Sequence, residues 1–514
     1  METIAYRNAL QGTTSRFHFH HVLVGLLMCL ALAVSLFFFS GESLRLDESQ
    51  SLWQSSHSVS RILDIVGQDV HVPLYHLILH FWQLMVGGGV AGARFLSLLF
   101  FLAGIPLMYA LGMRAFEHRA AALFATALFA LSPFMNWYGN EIRMYSMLTF
   151  LALLSHFLFL GIYREGGGFG RWAGYAAVSI VGVFTHYFFW LVIAAQFVFY
   201  LAVRRAFPAG SGKNLAGVFG LLALAFLPWL LYLRNLNQLA ASSQPLLPVP
   251  TSIDVWNAFS QFIIGFQNDW LNALVVSLWP LVVLVSFLTL RRHSTVPREA
   301  GYFLAMLLLP ALALFTASVL LKPIYVSRYL IFTAPALYLL VGWVLTLYPR
   351  FVSFFGKAGL IAAMAAGLYL QVTNADMQMR ENYRAAAEYM SAGTAPSDIV
   401  ILSAPFTVYP VEYYYKGPAD IRTLPEWDRS LRGDIPPFNE DSLPEDVARL
   451  TEGHRRAWLL LSYDQGYEDE IRNYFDTRYH MLDRKRFSEG LDLYVYQLRY
   501  GEAWAEHELT ALRR

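Results

Sequence analysis

Charge is scarce in this chain of 514 residues, with Asp, Glu, Lys and Arg making up only 15% of it, where a soluble protein carries about 25%. Cysteine is scarcer still. The single one, Cys29, lies inside an apolar run, which excludes disulfides and thiolate metal sites within one chain. There is no internal repeat and no low-complexity tail, so a repeat array is excluded. What fills the space is apolar: 56% of the residues are hydrophobic and 16% aromatic, and they are grouped into runs. Val22–Phe39, Leu215–Leu233 and Leu271–Leu290 each approach the ~20 residues a helix needs to cross a bilayer. The composition is that of a polytopic membrane protein. The first run lacks a small-residue cleavage site and reads as a retained anchor.

The net charge of +1 hides an asymmetry: residues 1–375 hold 21 Lys+Arg against 12 Asp+Glu, and residues 376–514 hold 17 against 25. With the loss of long apolar runs, this shift sets a domain boundary near Asp376. The N-terminal part, 1–375, reads as an all-α membrane core with a first outer loop over 41–91. About eleven spans are expected, near 22–40, 92–113, 119–136, 141–163, 172–186, 188–203, 214–234, 271–290, 301–321, 329–347 and 358–375. Pro73–Val86 is too short to span and reads as an interfacial or re-entrant helix. Residues 376–514 read as a small soluble α/β domain, with a helix over Glu381–Met390 and strands over Asp398–Ser403, Ala457–Leu461 and Leu491–Gln497.

Topology follows from the basic loops. A cytoplasmic N-terminus places 14 of the 21 basic residues before position 376 inside, and the odd number of spans puts the acidic C-terminal domain outside. The expected location is the inner or plasma membrane. The short basic runs Arg455-Arg456 and Arg484-Lys485-Arg486 read as solvated faces of the outer domain.

Ionisable residues are costly near membrane depth, so their placement is informative, and here they gather at the outer side. Asp47 and Glu48 follow the first helix, with Asp69 and His71 in the same loop. Glu141 and Arg143 open the helix expected at 141–163. His186 and Tyr187 lie in a tight turn, and Lys322, Tyr325, Arg328 and Tyr329 precede the helix at 329–347. Such a set suits sugar transfer from a phosphodiester. A carboxylate takes the proton of the incoming hydroxyl, and Arg and Lys meet the charge that grows on the leaving phosphate. Tyr187 and Tyr325 are placed to line the sugar or a prenyl chain, for which an aromatic groove between helices is expected. Asp47, Glu48, Asp69 and His71 are hard ligands, but their spacing matches no metal motif, and no metal or other cofactor is expected.

Several short motifs occur in a fixed order: Leu46-Asp47-Glu48, His71-Val72-Pro73-Leu74-Tyr75, Ala93-Arg94-Phe95, Ser132-Pro133 with Glu141-Ile142-Arg143-Met144-Tyr145, Thr185-His186-Tyr187, and Ser327-Arg328-Tyr329-Leu330. Over residues 20–375 the chain resembles the GT-C membrane glycosyltransferases, specifically the family-39 group of protein O-mannosyltransferases and the aminoarabinose transferase acting on lipid A. The tail resembles the soluble outer domain of some bacterial members. The resemblance implies an inverting glycosyltransferase that draws its sugar from a polyprenyl-phosphate donor and needs no divalent ion. It further implies Asp47 as base with Glu48 in support, and Arg94, His186, Lys322 and Arg328 as contacts to donor phosphate or sugar. His71-Val72-Pro73 departs from the His-Pro-Pro of the mannosyltransferases, which leaves sugar and acceptor open: lipid, glycan and protein acceptors all remain. Nucleic acid is not expected as a partner. An oligosaccharide ligase or polymerase of similar fold, a transporter and a non-catalytic partner subunit are the rival readings. A transporter of inverted repeats fits less well, because no repeated halves are present and charge gathers at the outer surface.

Overall fold

The structure, a computed structural model, describes residues 19–39, 41–69, 71–235, 247–293, 296–374, 381–430 and 435–498. Its helices are α1 (Phe19–Phe37), α2 (Leu46–Ser55), α3 (Val59–Gly67), α4 (Leu74–Val86), α5 (Val90–Phe116), α6 (Arg119–Leu131), α7 (Pro133–Gly139), α8 (Tyr145–Glu165), α9 (Phe169–Thr185) and α10 (Phe189–Val203). They continue with α11 (Ser211–Asn235), α12 (Ser252–Ile264), α13 (Asp269–Arg292), α14 (Arg298–Leu320), α15 (Ala334–Val344), α16 (Arg350–Thr373), α17 (Tyr383–Gly393), α18 (Val408–Tyr414), α19 (Leu443–Thr451) and α20 (Glu468–Arg478). The strands are β1 (Asp398–Ser403), β2 (Asp420–Thr423), β3 (Arg456–Ser462), β4 (His480–Ser488) and β5 (Leu491–Gln497). The chain forms two compact units. The first takes α1 and α4–α16; the second joins Glu42–Asp69, with α2 and α3, to the region from Ala375 onward.

In the first unit, nine helices among the described residues are long and apolar enough to span a bilayer, and the α6/α7 pair makes a tenth if counted as one. The eleventh expected span corresponds to α9, with 17 residues. α4 has 13 residues, short of a span. Ser132-Pro133 breaks α6 from α7 with a bend of 57°, because proline cannot continue the hydrogen-bond ladder. Carbonyls freed at membrane depth must find partners. Asn136 Nδ2 donates to the carbonyls of Ala130 and Ser132, both at 2.9 Å, and Gln371 Nε2 donates to that of Pro133 at 3.1 Å.

Small residues let these helices touch. A Cβ added at Gly342 of α15 would lie 2.8 Å from the Ala121 carbonyl oxygen, and one at Gly112 of α5 would lie 2.9 Å from the Ala122 Cβ, both on α6. Close backbone approach of this kind replaces the hydrophobic drive that lipid does not supply.

The second unit is an α/β layer structure around one sheet of order β2-β1-β3-β5-β4. β1 runs parallel to β2 and β3, while β5 is antiparallel to β3 and β4. Helices cover both faces of β1, so all six of its residues are buried, as a central parallel strand requires. Val400 and Leu402 pack with α17 and α18 on one face, and Ile399 and Ile401 with α19 and α20 on the other. Trp53 of α2 packs on the α18 side, its ring 5.3 Å from that of Tyr409, which is why α2 belongs to this unit. β1 and β5 have the expected bounds and β3 extends the expected strand by one residue at each end, whereas β2 and β4 were not expected. β4 is an exposed edge, and Arg484, Lys485 and Arg486 supply the charge that keeps such an edge from pairing with other chains. Arg456 corrects the reading of Arg455-Arg456 as a solvated pair: it holds the buried Asp398 through bonds of 3.1 and 2.6 Å.

The glycine contacts generate a contrast. Gly342→Val forces a branched side chain against backbone, and overpacking of this kind costs about 1–3 kcal/mol. Its thermal unfolding midpoint in detergent is expected to fall clearly below that of Gly301→Val, since Gly301 faces open space. Equal midpoints would show that the α6–α15 contact yields.

Candidate functional site

Asp47 and Glu48 stand together on the first turn of α2, but their surroundings divide them. A helix N-terminus leaves backbone N–H groups without intrahelical acceptors. Here the N–H groups of Leu44, Arg45 and Leu46 donate to Tyr414 Oη at 2.9 Å, Glu48 Oε2 at 3.0 Å and Glu381 Oε2 at 3.1 Å. Glu48 is fully buried as the cap of its own helix. Asp47 is only half-buried, and helical spacing puts it on the same face as Gln50 and Gln54. Both of those amides donate to Asp69 Oδ2, at 3.2 and 2.8 Å.

In the first unit a second group of residues converges on the turn between α9 and α10. The His186 N–H closes α9 on the Gly182 carbonyl at 3.0 Å, and its Nδ1 accepts from the Phe188 N–H at 3.1 Å. With Nδ1 accepting, a neutral imidazole carries its proton on Nε2 and presents a donor there. Burial, reinforced by His71 and Arg143, pushes this imidazole down to about 3. Rings of Tyr145, Phe188 and Tyr329 stand 6.1, 5.2 and 5.8 Å from the His186 ring. Tyr187 Oη donates to the His71 carbonyl at 3.3 Å and accepts from Trp229 Nε1 at 3.1 Å. The Arg328 guanidinium lies over the Tyr329 ring at 5.7 Å.

Glu141 and Arg143 do not open a helix, contrary to the expectation. α8 begins at Tyr145, and residues 140–144 form a buried bend after α7. Ser97 Oγ donates to the Arg143 carbonyl at 3.2 Å, one turn beyond Arg94 on α5. Arg94, Glu141 and Arg143 are all 5% exposed or less. Sealing such charges is expensive, which makes them candidates for function in a membrane unit.

Lys322 and Tyr325 occupy the connection from α14 to the 3-10 turn Ser327–Thr333. Tyr325 packs edge-on to Phe315 at 6.1 Å, and burial with Asp254 nearby raises its hydroxyl above the ordinary range. Thus His71, Arg143, His186, Tyr187, Arg328 and Tyr329 are drawn together, whereas Tyr325 faces Asp254 of α12. A groove of about 550 Å³ opens between α10 and α14. Its walls include Leu191, Ala194, Val198, Leu309, Ala313 and Leu320, and it ends at Leu321, the neighbour of Lys322. The groove is aliphatic, not aromatic as expected. Among the described residues, no three His, Cys, Asp or Glu side chains are grouped to hold a metal ion.

Sequence reasoning missed Trp229 and α12. Trp229 sits inside a run that reads only as a span, and α12 is amphipathic and hidden in the long connection before α13. No family model matches the chain, nor does any curated protein sequence. Solved structures do. ArnT from Cupriavidus metallidurans matches at a TM-score of 0.59 and 14% identity, covering 92% of this chain and 97% of its own; it is also solved bound to undecaprenyl phosphate. The Archaeoglobus fulgidus oligosaccharyltransferase matches at 0.53 and 12% identity over 86% of this chain and 69% of its own. The arabinofuranosyltransferase AftD from Mycobacteria matches at 0.50 and 14% identity, over 94% and 42%. The chain has the GT-C fold. Within that fold both units are accounted for, since the ArnT match runs nearly end to end in each protein.

His186 supplies a pH test. Burial pushes its imidazole down to about 3 in the fold, against about 6.5 in the unfolded chain, so the unfolded chain binds the extra proton between these values. Stability from this residue is therefore intact above about pH 6.5 and is lost as pH falls towards 3. Unfolding midpoints of the wild type are expected to drop more steeply from pH 6.5 to 4 than those of His186→Gln. Parallel slopes would show that His186 titrates normally.

Proposed function

We propose that this protein is an inverting glycosyltransferase that moves a sugar from a polyprenyl-phosphate carrier to an acceptor hydroxyl at the outer face of the membrane. The observation that carries the reading is the aliphatic groove between α10 and α14, which ends beside Lys322. A prenyl chain entering sideways from the bilayer buries its methylenes there, each contributing about 0.8 kcal/mol, and delivers its phosphate to Lys322 and Arg328. Support also comes from the ArnT fold, whose solved protein takes undecaprenyl phosphate, although a fold alone does not assign chemistry.

Asp47 is the base in this reading. Glu48 is occupied in capping α2, so its part is to hold Asp47 in place. As the donor's C–O bond to phosphate breaks, the pair of electrons stays on the phosphate, where Lys322, Arg328 and the buried Arg94 and Arg143 meet the growing charge. The acceptor oxygen forms the new bond to the sugar from the opposite side and passes its proton to Asp47. His186 Nε2–H, Tyr187 and Tyr329 contact the sugar or phosphate, and Tyr325 lines the donor path. A sugar flipped across on a lipid reaches an outer site that cytoplasmic nucleotide sugars do not. The C-terminal domain's outer location and a boundary near residue 376 between it and the last membrane helix belong to the same proposal.

Asp47→Asn keeps the shape and removes the base, so purified variant is expected to lose at least about 100-fold in rate. Turnover is read with prenyl-phosphate sugars of short and long chains. Wild type should use them and ignore the matching nucleotide sugar. Ala313→Trp, which fills the groove, should raise the KM of the long-chain donor more than that of the short one. A nucleotide sugar that works where every prenyl donor fails would refute the mechanism.

A further inference from the structure

The second unit holds a cleft that the transfer chemistry does not use. It lies between α2, α3 and the α18 side of the sheet, lined among others by Trp53, Gln54, Asp69, Tyr409, Trp427 and Arg429. It is small and open, with a volume of about 50 Å³. Trp53, Tyr409 and Trp427 form a continuous aromatic wall, with ring centroids 5.3 and 6.0 Å apart. The Arg429 guanidinium lies 4.8 Å from the centroid of Trp53 and 4.9 Å from that of Tyr409, and pairs with Glu412.

A stack that only packed α2 onto α18 would leave its polar atoms satisfied. Two are not. Gln54 is 1% exposed, and its Oε1 is buried with no hydrogen-bond donor; Arg429 Nη1 is buried with no acceptor. The amide orientation of Gln54 is set by chemistry, because the ionised Asp69 accepts only, so the group facing it at 2.8 Å is the NH₂. One orphan acceptor and one orphan donor on the lining of a cleft walled by aromatics therefore await a ligand group that both donates and accepts. Leaving each unmade costs about 1–3 kcal/mol.

We infer that this cleft binds a sugar ring of the acceptor. Hydroxyls donate and accept at once, which meets Gln54 Oε1 and Arg429 Nη1 together. The C–H face of a pyranose carries partial positive charge and suits the negative face of an indole or phenol ring. A lipid tail is excluded by the polar rim and the small depth. Gln54 is seven residues from Asp47 on one face of α2, about 10 Å along the axis. The bound ring is thus not the one that reacts: the accepting hydroxyl sits on a neighbouring ring, and the acceptor is a glycan-bearing molecule. The last step rests on Asp47 being the base of the proposed transfer, whereas sugar binding in the cleft does not.

Saturation-transfer NMR on the full-length protein in detergent tests the site without turnover, using methyl glycosides of glucose, mannose and N-acetylglucosamine and a β-linked glucose disaccharide. At least one is expected to receive saturation and to bind at least 10-fold more weakly to Gln54→Leu and to Arg429→Gln. Arg478→Gln, remote on α20, should bind as wild type, and thermal unfolding checks that each variant is folded. If Arg429→Gln fails to fold, Gln54→Leu and Arg429→Lys decide. No saturation transfer to any glycoside, undiminished binding by folded variants, or inorganic phosphate displacing the glycosides as the preferred ligand would each overturn the inference. Glycoside binding without transfer from any prenyl donor would instead remove the transferase reading and leave the sugar site standing.

Discussion

Three consecutive backbone N–H groups decide where the carboxylate of Asp47 stands. The first turn of α2 satisfies that of Arg45 through Glu48, but those of Leu44 and Leu46 need acceptors from elsewhere. Tyr414 and Glu381 come from the region after the membrane helices, and Glu48 comes from the helix itself. An orphaned buried donor costs about 1–3 kcal/mol, so together the three bonds hold the entry of α2 against thermal motion. The candidate base is thereby attached to the soluble fold. If Asp47 is the base, as proposed, this region positions it, and Trp53 and Gln54 of the cleft lie on the same helix.

The membrane unit meets a different constraint. Lipid offers no hydrogen bonds and little drive for helices to associate, so polar closure and small residues have to do both jobs. Gly112 and Gly342 bring α5 and α15 onto α6, and Asn136 and Gln371 repair the break at Ser132-Pro133. With the frame held by these contacts, the bend over 140–144 is free to carry Glu141 and Arg143 at burial levels that a plain span would not tolerate. The Pro break opens α7, and the irregular backbone that carries Glu141 and Arg143 follows at the other end of that short helix.

Much of this was legible in the amino-acid sequence, and the rest was not for identifiable reasons. Every expected span has a helical counterpart, since an apolar run of bilayer length has few other solutions. β1 and β5 were readable because their apolar character is continuous or alternating, whereas the short β2 and the charged edge strand β4 carry no such pattern. Glu141 and Arg143 were recognised as candidates but placed on a helix, because local propensity gives no sign of a bend held by tertiary contacts. α12 was overlooked because thirteen amphipathic residues look like a loop segment beside longer apolar runs. The pinning of α2 was out of reach: Leu44 and Tyr414 are 370 residues apart, and nothing in a single sequence pairs them. The aromatic cleft falls under the same limit, since Trp53 and Tyr409 meet only in the folded unit.

Buried charges in this protein fall into two kinds, and the difference bears on mechanism. Glu48 and Asp398 are sealed from solvent, yet each serves its own unit: Glu48 caps the helix it belongs to, and Asp398 ties the start of β1 to Arg456 and the Ala395 N–H. Removing such a group destabilises locally, and its burial is explained by the fold. Arg94, Glu141 and Arg143 lie on α5 and on the irregular bend before α8, in a unit where an apolar side chain would satisfy packing at lower cost. Replacing buried ions by well-packed apolar residues is often neutral or stabilising. In the proposed transfer these groups meet a charge that appears on the ligand. A polyprenyl-phosphate sugar brings its anion to the membrane surface and increases the charge on the leaving phosphate as the glycosidic bond breaks. Fixed cations in a dry site act on that change more strongly than cations in water. In the proposed transfer, the cost of holding Arg94 and Arg143 in the fold is offset at the transition state.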